Sequence, residues 1–182
     1  MPSIAAHMVV AKLVSEELNI LSNDFIRGNL LPDITLEPDS HHRIKGHIFQ
    51  IPNISYFQNN LDLYNDLYLG YYVHLLLDKY YLEEFVPNNI KNLLVFENKI
   101  LYDEYNSVNY ELVKHFSLDI PYLISILKDY PVPIDNIKLA NNISYLTNTN
   151  SKETIYLKVS DFITFLNNTS KIIIEEVREY AH

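Results

Sequence analysis

The sequence predicts one all-α domain, a bundle of several helices spanning residues 1–182, and three observations predict it. Apolar residues recur at three- and four-residue spacing through much of the chain, the pattern of helices that bury one face. Capping residues and prolines fall where those stretches start and stop. Two-residue alternation is confined to residues 154–159, so at most a small β element belongs near 134–159. With 48% hydrophobic and 20% charged residues the chain can bury a core, and no linker or internal repeat divides it.

Ser3 stands at a helix N-cap, and Ile4, Met8, Ala11, Val14 and Leu18 follow at helical spacing, with His7 in the first turns. Asn23–Ile34, NDFIRGNLLPDI, reads as a short helix broken by Gly28 and Pro32, which presents Asp33 at an irregular bend. The next stretch, TLEPDSHHRIKGHIFQIPN, has the Pro, Asp, Ser and Gly content of a loop, with a short extended piece at 48–51. It carries His41, His42 and His47. Residues 54–66 are predicted helical and lead into the most apolar stretch of the chain, 67–85, which Pro87 ends. Residues 88–104 fit a short helix and a connection, and 105–116 a further helix. Asp119 caps a helix that opens on Pro121 and runs to Tyr130, where Pro131 and Pro133 stop it. Signals are weak from 134 to 157. Residues 160–180 close the chain as an amphipathic helix with Phe162, Phe165, Leu166, Ile173 and Val177 inward.

The apolar stretch 67–85, LYLGYYVHLLLDKYYLEEF, holds the chemistry of most interest, because His74 and Asp78 lie one helical turn apart in it. Residues four apart differ by about 40° around a helix and project from one face. Burying a carboxylate without a strong partner costs several kcal/mol. A His/Asp pair on an exposed helix returns only about 0.3 to 0.5 kcal/mol, too little to offset that. A bound cation would offset it; so would a half-buried helix with Asp78 at its wet edge.

Composition excludes several classes. The absence of cysteine rules out disulfides, zinc fingers and thiol nucleophiles. A net charge of −9 works against long nucleic acids as partners. No apolar run approaches the roughly 18 residues of a transmembrane segment. The start, MPSIAAHMVVAKLV, lacks the basic and apolar regions of a secretory signal, so a cytoplasmic location is expected.

The order His7, Pro32-Asp33, Ser40-His41-His42, His74-x-x-x-Asp78, together with the stretches NLLPDI, DSHHR and LGYYVHLLLD, resembles the zinc-dependent phospholipase C-like family, in its intracellular bacterial branch. The resemblance covers residues 1–85. It implies the all-helical fold that the family shares with single-strand-specific nucleases, and a metal centre built from His7, Asp33, His41 or His42, His74 and Asp78. It also implies candidates for further ligands: Glu84, where secreted members carry a histidine; the pair His115 and Asp119 of a final His-x-x-x-Asp; and Asp103 as an alternative late carboxylate. The chain departs from secreted members in having no Trp, whose processed N-terminal residue holds one of their ions.

Imidazole and carboxylate donors without thiolate suit zinc, iron or manganese. An ion with an open position lowers the pKa of bound water and supplies hydroxide near neutral pH. Asp33 is the candidate to orient that water or to ligate the ion, and Arg27, Arg43 and Lys45 flank the donors as candidate phosphate-holding groups. The expectation is a metal-dependent phosphoesterase acting on a small phosphoester or a phospholipid head group. One rival is an HD-domain-like phosphohydrolase, whose adjacent His-Asp doublet this sequence lacks. The other is a non-catalytic helical metal-binding module.

Overall fold

The computed structural model describes residues 2–45, 51–86, 98–147 and 154–181, with the side chains of 98–103 and 106 left out of the description. Among them are eight α-helices: α1 (Ile4–Leu18), α2 (Asn23–Ile34), α3 (Ile54–Asn60), α4 (Asp66–Tyr80), α5 (Asn98–His115), α6 (Ile120–Ile126), α7 (Asn136–Leu146) and α8 (Val159–Val177). The described residues contain no strand, only two isolated antiparallel bridges, Thr35 with Ile134 and Arg43 with Pro52. The domain is all-α, as the apolar spacing predicts.

α1 and α4 form the centre of the bundle. Ser3 caps α1 by accepting the Ala6 N–H, and Asn19, at φ 56°, ends it in the left-handed conformation. α1 then packs against α2, α4, α5 and α8. Asn65 caps α4 by accepting the N–H groups of Leu67 and Tyr68. From Leu69 to Asp78 every residue of α4 is buried, so a helix greasy on all faces lies in the core, as such a helix must. The predicted helix 67–85 is thus α-helical to Tyr80 and closes with a π-helical turn, Tyr81–Phe85.

The tightest crossing is between α2 and α4, and glycine makes it possible. A Cβ on Gly28 would stand 1.9 Å from the Leu67 carbonyl oxygen, and one on Gly70 would stand 2.0 Å from that of Phe25. With neither Cβ present the two backbones lie against each other, which carries the last turn of α2 to the middle of α4. Gly28 and Pro32 do not break α2, contrary to expectation. Pro32 lies in the final turn and removes only the one bond its N–H would give the Gly28 carbonyl; the helix still closes through the Thr35 N–H on the Leu31 carbonyl at 2.9 Å, and the Pro32 carbonyl, left free at the helix end, accepts the Ser40 hydroxyl at 2.7 Å. Asp33 therefore sits on a helix, not at an irregular bend.

The later elements also differ in detail. α7 occupies part of the weak stretch 134–157, capped by Asp135, which accepts the N–H groups of Ile137 and Lys138. Residues 154–159 form no strand, because the Glu104 carboxylate gathers the N–H groups of Ile155, Tyr156 and Leu157 at 2.7 to 3.1 Å. Asp119 caps α6 as expected, though that helix stops at Ile126 rather than Tyr130. In α8, Phe162, Leu166, Ile173 and Val177 are buried and Phe165 partly so. The predicted extended piece at 48–51 and His47 fall largely outside the described residues. Among the described residues no helix is long and apolar enough to cross a membrane.

In an isolated helix alanine is favoured over glycine by up to about 1 kcal/mol. Here Gly28→Ala and Gly70→Ala are expected to destabilise instead, by about 1 to 3 kcal/mol, because the new methyl meets backbone rather than a movable side chain. Urea unfolding of each variant checks this; a neutral or stabilising change would mean that the two helices do not approach so closely.

Candidate metal centre

Five side chains from three helices and one loop converge in the core. His7 comes from α1, Asp33 from the last turn of α2, His41 from the loop after it, and His74 and Asp78 from α4. Asp78 and His74 are wholly buried, with His7 and His41 at 1% and 6% side-chain exposure, whereas Asp33 is 30% exposed. The cluster is therefore sealed on all sides but that of Asp33.

The spacing between donors bears on what the cluster could hold. His41 Nε2 and His74 Nε2 each lie 3.4 Å from Asp78 Oδ2 and 3.9 Å from Asp33 Oδ1. His7 Nε2 lies 3.5 Å from Asp78 Oδ1. Charge-assisted hydrogen bonds between such groups run about 2.7 to 2.9 Å, so these contacts are too long to be good ones. Four donors held tetrahedrally about 2.0 Å from a zinc ion stand about 3.3 Å from one another. The observed separations suit donors arranged around a small cation. They do not suit donors bonded to each other.

The outer contacts fix which nitrogen faces inward. His74 Nδ1 donates to the Asn29 carbonyl at 2.7 Å, since a carbonyl only accepts. Ser40 Oγ commits its proton to the Pro32 carbonyl, so at 3.0 Å it accepts from His41 Nδ1. Both Nε2 atoms consequently turn toward the carboxylates, the arrangement in which metal-ligating histidines are commonly held from behind. Tyr71 steadies the loop by donating its hydroxyl to the Ser40 carbonyl. His41 Nε2, His74 Nε2, His7 Nδ1 and both oxygens of Asp78 are buried without hydrogen-bond partners. A purely structural polar network would satisfy such atoms.

Electrostatics point the same way. Burial pushes the Asp78 carboxyl up, but His74 and the other two imidazoles around it outweigh this and hold it well below the ordinary carboxylate range. Burial also depresses His74, yet Asp78 and Asp33 together raise it. His7 is lowered by burial and then by His74, on which its ring stacks with centroids 3.7 Å apart. Two carboxylates thus face imidazoles that resist being protonated together. A single dication balances both charges.

The structure sorts the other predicted residues. His42 has φ 39°, and its N–H donates to the Asp39 carbonyl; this turn sends His41 inward and lays the His42 ring on Tyr56, 4.1 Å between centroids. Of the two neighbouring histidines, His41 is the one at the cluster. Glu84 and His115 are exposed, and Asp119 is exposed and occupied in capping α6 through the Tyr122 N–H; none joins the cluster. The side chain of Asp103 lies outside the described residues. The two groups of three donors share His74, so the described residues offer one candidate centre rather than two. Arg27 is spent on Asp24 and the Ile126 carbonyl, both at 2.8 Å, and Lys45 is exposed. Arg43 lines a cleft of about 270 Å³ together with Ser3, Asp33, His41, Asn109 and Tyr145.

Sequence reasoning missed the supporting shell. What holds His74 from behind is the backbone carbonyl of Asn29, which no residue type marks in a sequence. Nothing in the sequence marks Asn109. Compared with family models, curated proteins and solved structures, the chain matches none.

His74→Ala and Asp78→Ala are each expected to lower bound metal at least about tenfold in elemental analysis, whereas Glu84→Ala and His115→Ala retain it. Undiminished metal in either cluster variant contradicts the assignment. Because His74 is raised, its proton stabilises the metal-free fold below the ordinary histidine value, and that contribution is lost as pH rises through the raised one. Proton and ion compete for the same Nε2, so calorimetric zinc titrations from about pH 6 to about pH 8 should show affinity rising with pH and protons released. An affinity independent of pH would contradict this.

Proposed function

We propose that the chain is a metal-dependent phosphoesterase that hydrolyses a small phosphate ester with metal-activated water, as its resemblance to zinc-dependent phospholipase C-like proteins implies. The observation that carries this reading is the cluster of inward-facing Nε2 atoms and carboxylates, spaced 3.4 to 3.9 Å apart, beside a cleft that holds an arginine. A divalent ion bound there would supply hydroxide near neutral pH and polarise a phosphoryl oxygen; zinc, iron and manganese all suit the donors.

The chain's own groups have separable tasks in this reading. His41, His74 and Asp78 hold the ion, and His7 closes the centre from behind. Asp33 is the partly exposed donor and lines the cleft, so its carboxylate orients the attacking water and takes up its proton. The Arg43 guanidinium offsets the charge on the phosphate. A cleft of about 270 Å³ suits a small ester or a phospholipid head group, and the net charge of −9 disfavours long polyanions.

One observation favours a second reading, a non-catalytic metal-binding module: four of the five donors are at most 6% exposed, as they would be around a purely structural ion. Hydrolysis of bis(p-nitrophenyl) phosphate, measured with metal content, separates the two. Chelation should abolish turnover and zinc should restore it. Asp33→Asn should lower the rate at least about 100-fold while retaining most of the metal. Full metal occupancy without turnover of any phosphoester would leave the module.

A further inference from the structure

The cleft beside Asp33 and His41 has two more unusual groups. Asn109, on α5, is 2% exposed, and its Oδ1 has no hydrogen-bond partner. A buried amide left this way is uncommon, because the lost hydrogen bond to water goes unreplaced. Arg43, on the loop that carries His41, has a buried Nε that is likewise without a partner. No ion pair holds its guanidinium among the described residues. An unmatched acceptor and an unmatched cationic donor thus line one cavity, next to two of the proposed metal donors.

We infer that Asn109 and Arg43 form a subsite that selects phosphate esters carrying a hydroxyl on the esterified group, the class of phosphorylated small polyols. This rests on the phosphoesterase reading for its phosphate and adds what lies beyond it. Arg43 takes the anionic oxygen that the ion does not. The Asn109 carboxamide takes the hydroxyl: its oxygen accepts the O–H, and its nitrogen has a proton to donate in return. A neutral hydroxyl fits better than an ammonium group, because among the described residues Asp33 is the only carboxylate lining the cleft and it belongs to the proposed centre. About 270 Å³ leaves room for a phosphate and a short polyol.

The test uses non-hydrolysable probes on the zinc-loaded full chain. Calorimetry compares dihydroxybutylphosphonate, butylphosphonate and aminobutylphosphonate, which share the anion and the four-carbon chain and differ in what they offer Asn109. The dihydroxy compound should bind at least about tenfold more tightly than the plain one, since a site built to bond a hydroxyl penalises its loss. Asn109→Leu should abolish that preference while leaving butylphosphonate affinity within about twofold. Arg43→Gln should weaken both compounds by a similar factor. Equal binding of the two by the unaltered protein, tighter binding of the amine, no binding of any probe, or a preference that survives in folded Asn109→Leu would each overturn the subsite. The comparison of ligands on the unaltered protein stands even if a variant fails to fold. Metal content and turnover measured on the same preparation separate this inference from its premise. A hydroxyl preference without metal-dependent hydrolysis keeps the subsite and removes the esterase, and hydrolysis without preference does the reverse.

Discussion

The Asp78 carboxylate, fully buried and without a hydrogen bond to either oxygen, is the constraint to which the rest of the structure answers. A bare carboxylate in such a place would give up its charge, yet the imidazoles of His74, His41 and His7 hold it ionised. Those imidazoles sit 3.4 to 3.5 Å away, close enough to stabilise a negative charge and too far to bond it well. That separation is close to the one donors keep when they share a small cation. Each neighbouring feature, from the fixed Nδ1 contacts of His41 and His74 to the partial exposure of Asp33, follows from building a polar hole in an apolar bundle and opening one side of it.

The fold supplies that hole by simple means. α4 is apolar enough to be driven into the core whole, which takes His74 and Asp78 with it. Gly28 and Gly70 let α2 lie against α4 backbone to backbone, so that Asp33 and the Asn29 carbonyl arrive on opposite sides of His74. The small and apolar residues of α1, Ala5, Ala6, Val9 and Val10, let it pack closely enough for the His7 ring to stack on His74. Only His41 comes from a loop, and three tethers hold that loop: Ser40 to the Pro32 carbonyl, Tyr71 to the Ser40 carbonyl, and the Arg43–Pro52 bridge. A catalytic or binding centre needs such rigidity in its surroundings to keep donor spacing within tenths of an ångström.

Much of this was legible in the residues, and the parts that were not share a cause. Helical periodicity, the Ser3 and Asp119 caps and the four-residue spacing of His74 and Asp78 are local, so the sequence carries them. The choice between His41 and His42 was not legible, because it turns on a positive φ at His42 that no side chain requires. Pro32 misled for a related reason: it costs α2 a single bond near its end, and what closes the helix past it is the Thr35 N–H on the Leu31 carbonyl and the hydroxyl of Ser40, eight residues on from Pro32. The alternation at 154–159 resembled a strand, yet its N–H groups are taken by Glu104, some fifty residues away. Glu84, His115 and Asp119 looked like ligands by order along the chain, and order says nothing about which face of a helix meets the core. Long-range pairing is the information a single sequence lacks.

Diffraction from crystals grown with zinc, recorded on both sides of the zinc absorption edge, tests the central claim most directly. One anomalous peak is expected within bonding distance of His41 Nε2, His74 Nε2 and Asp78, with Asp33 at its open side. No anomalous peak at the cluster, and ordinary water between the same side chains, would contradict it and leave a helical domain with a hydrated polar core.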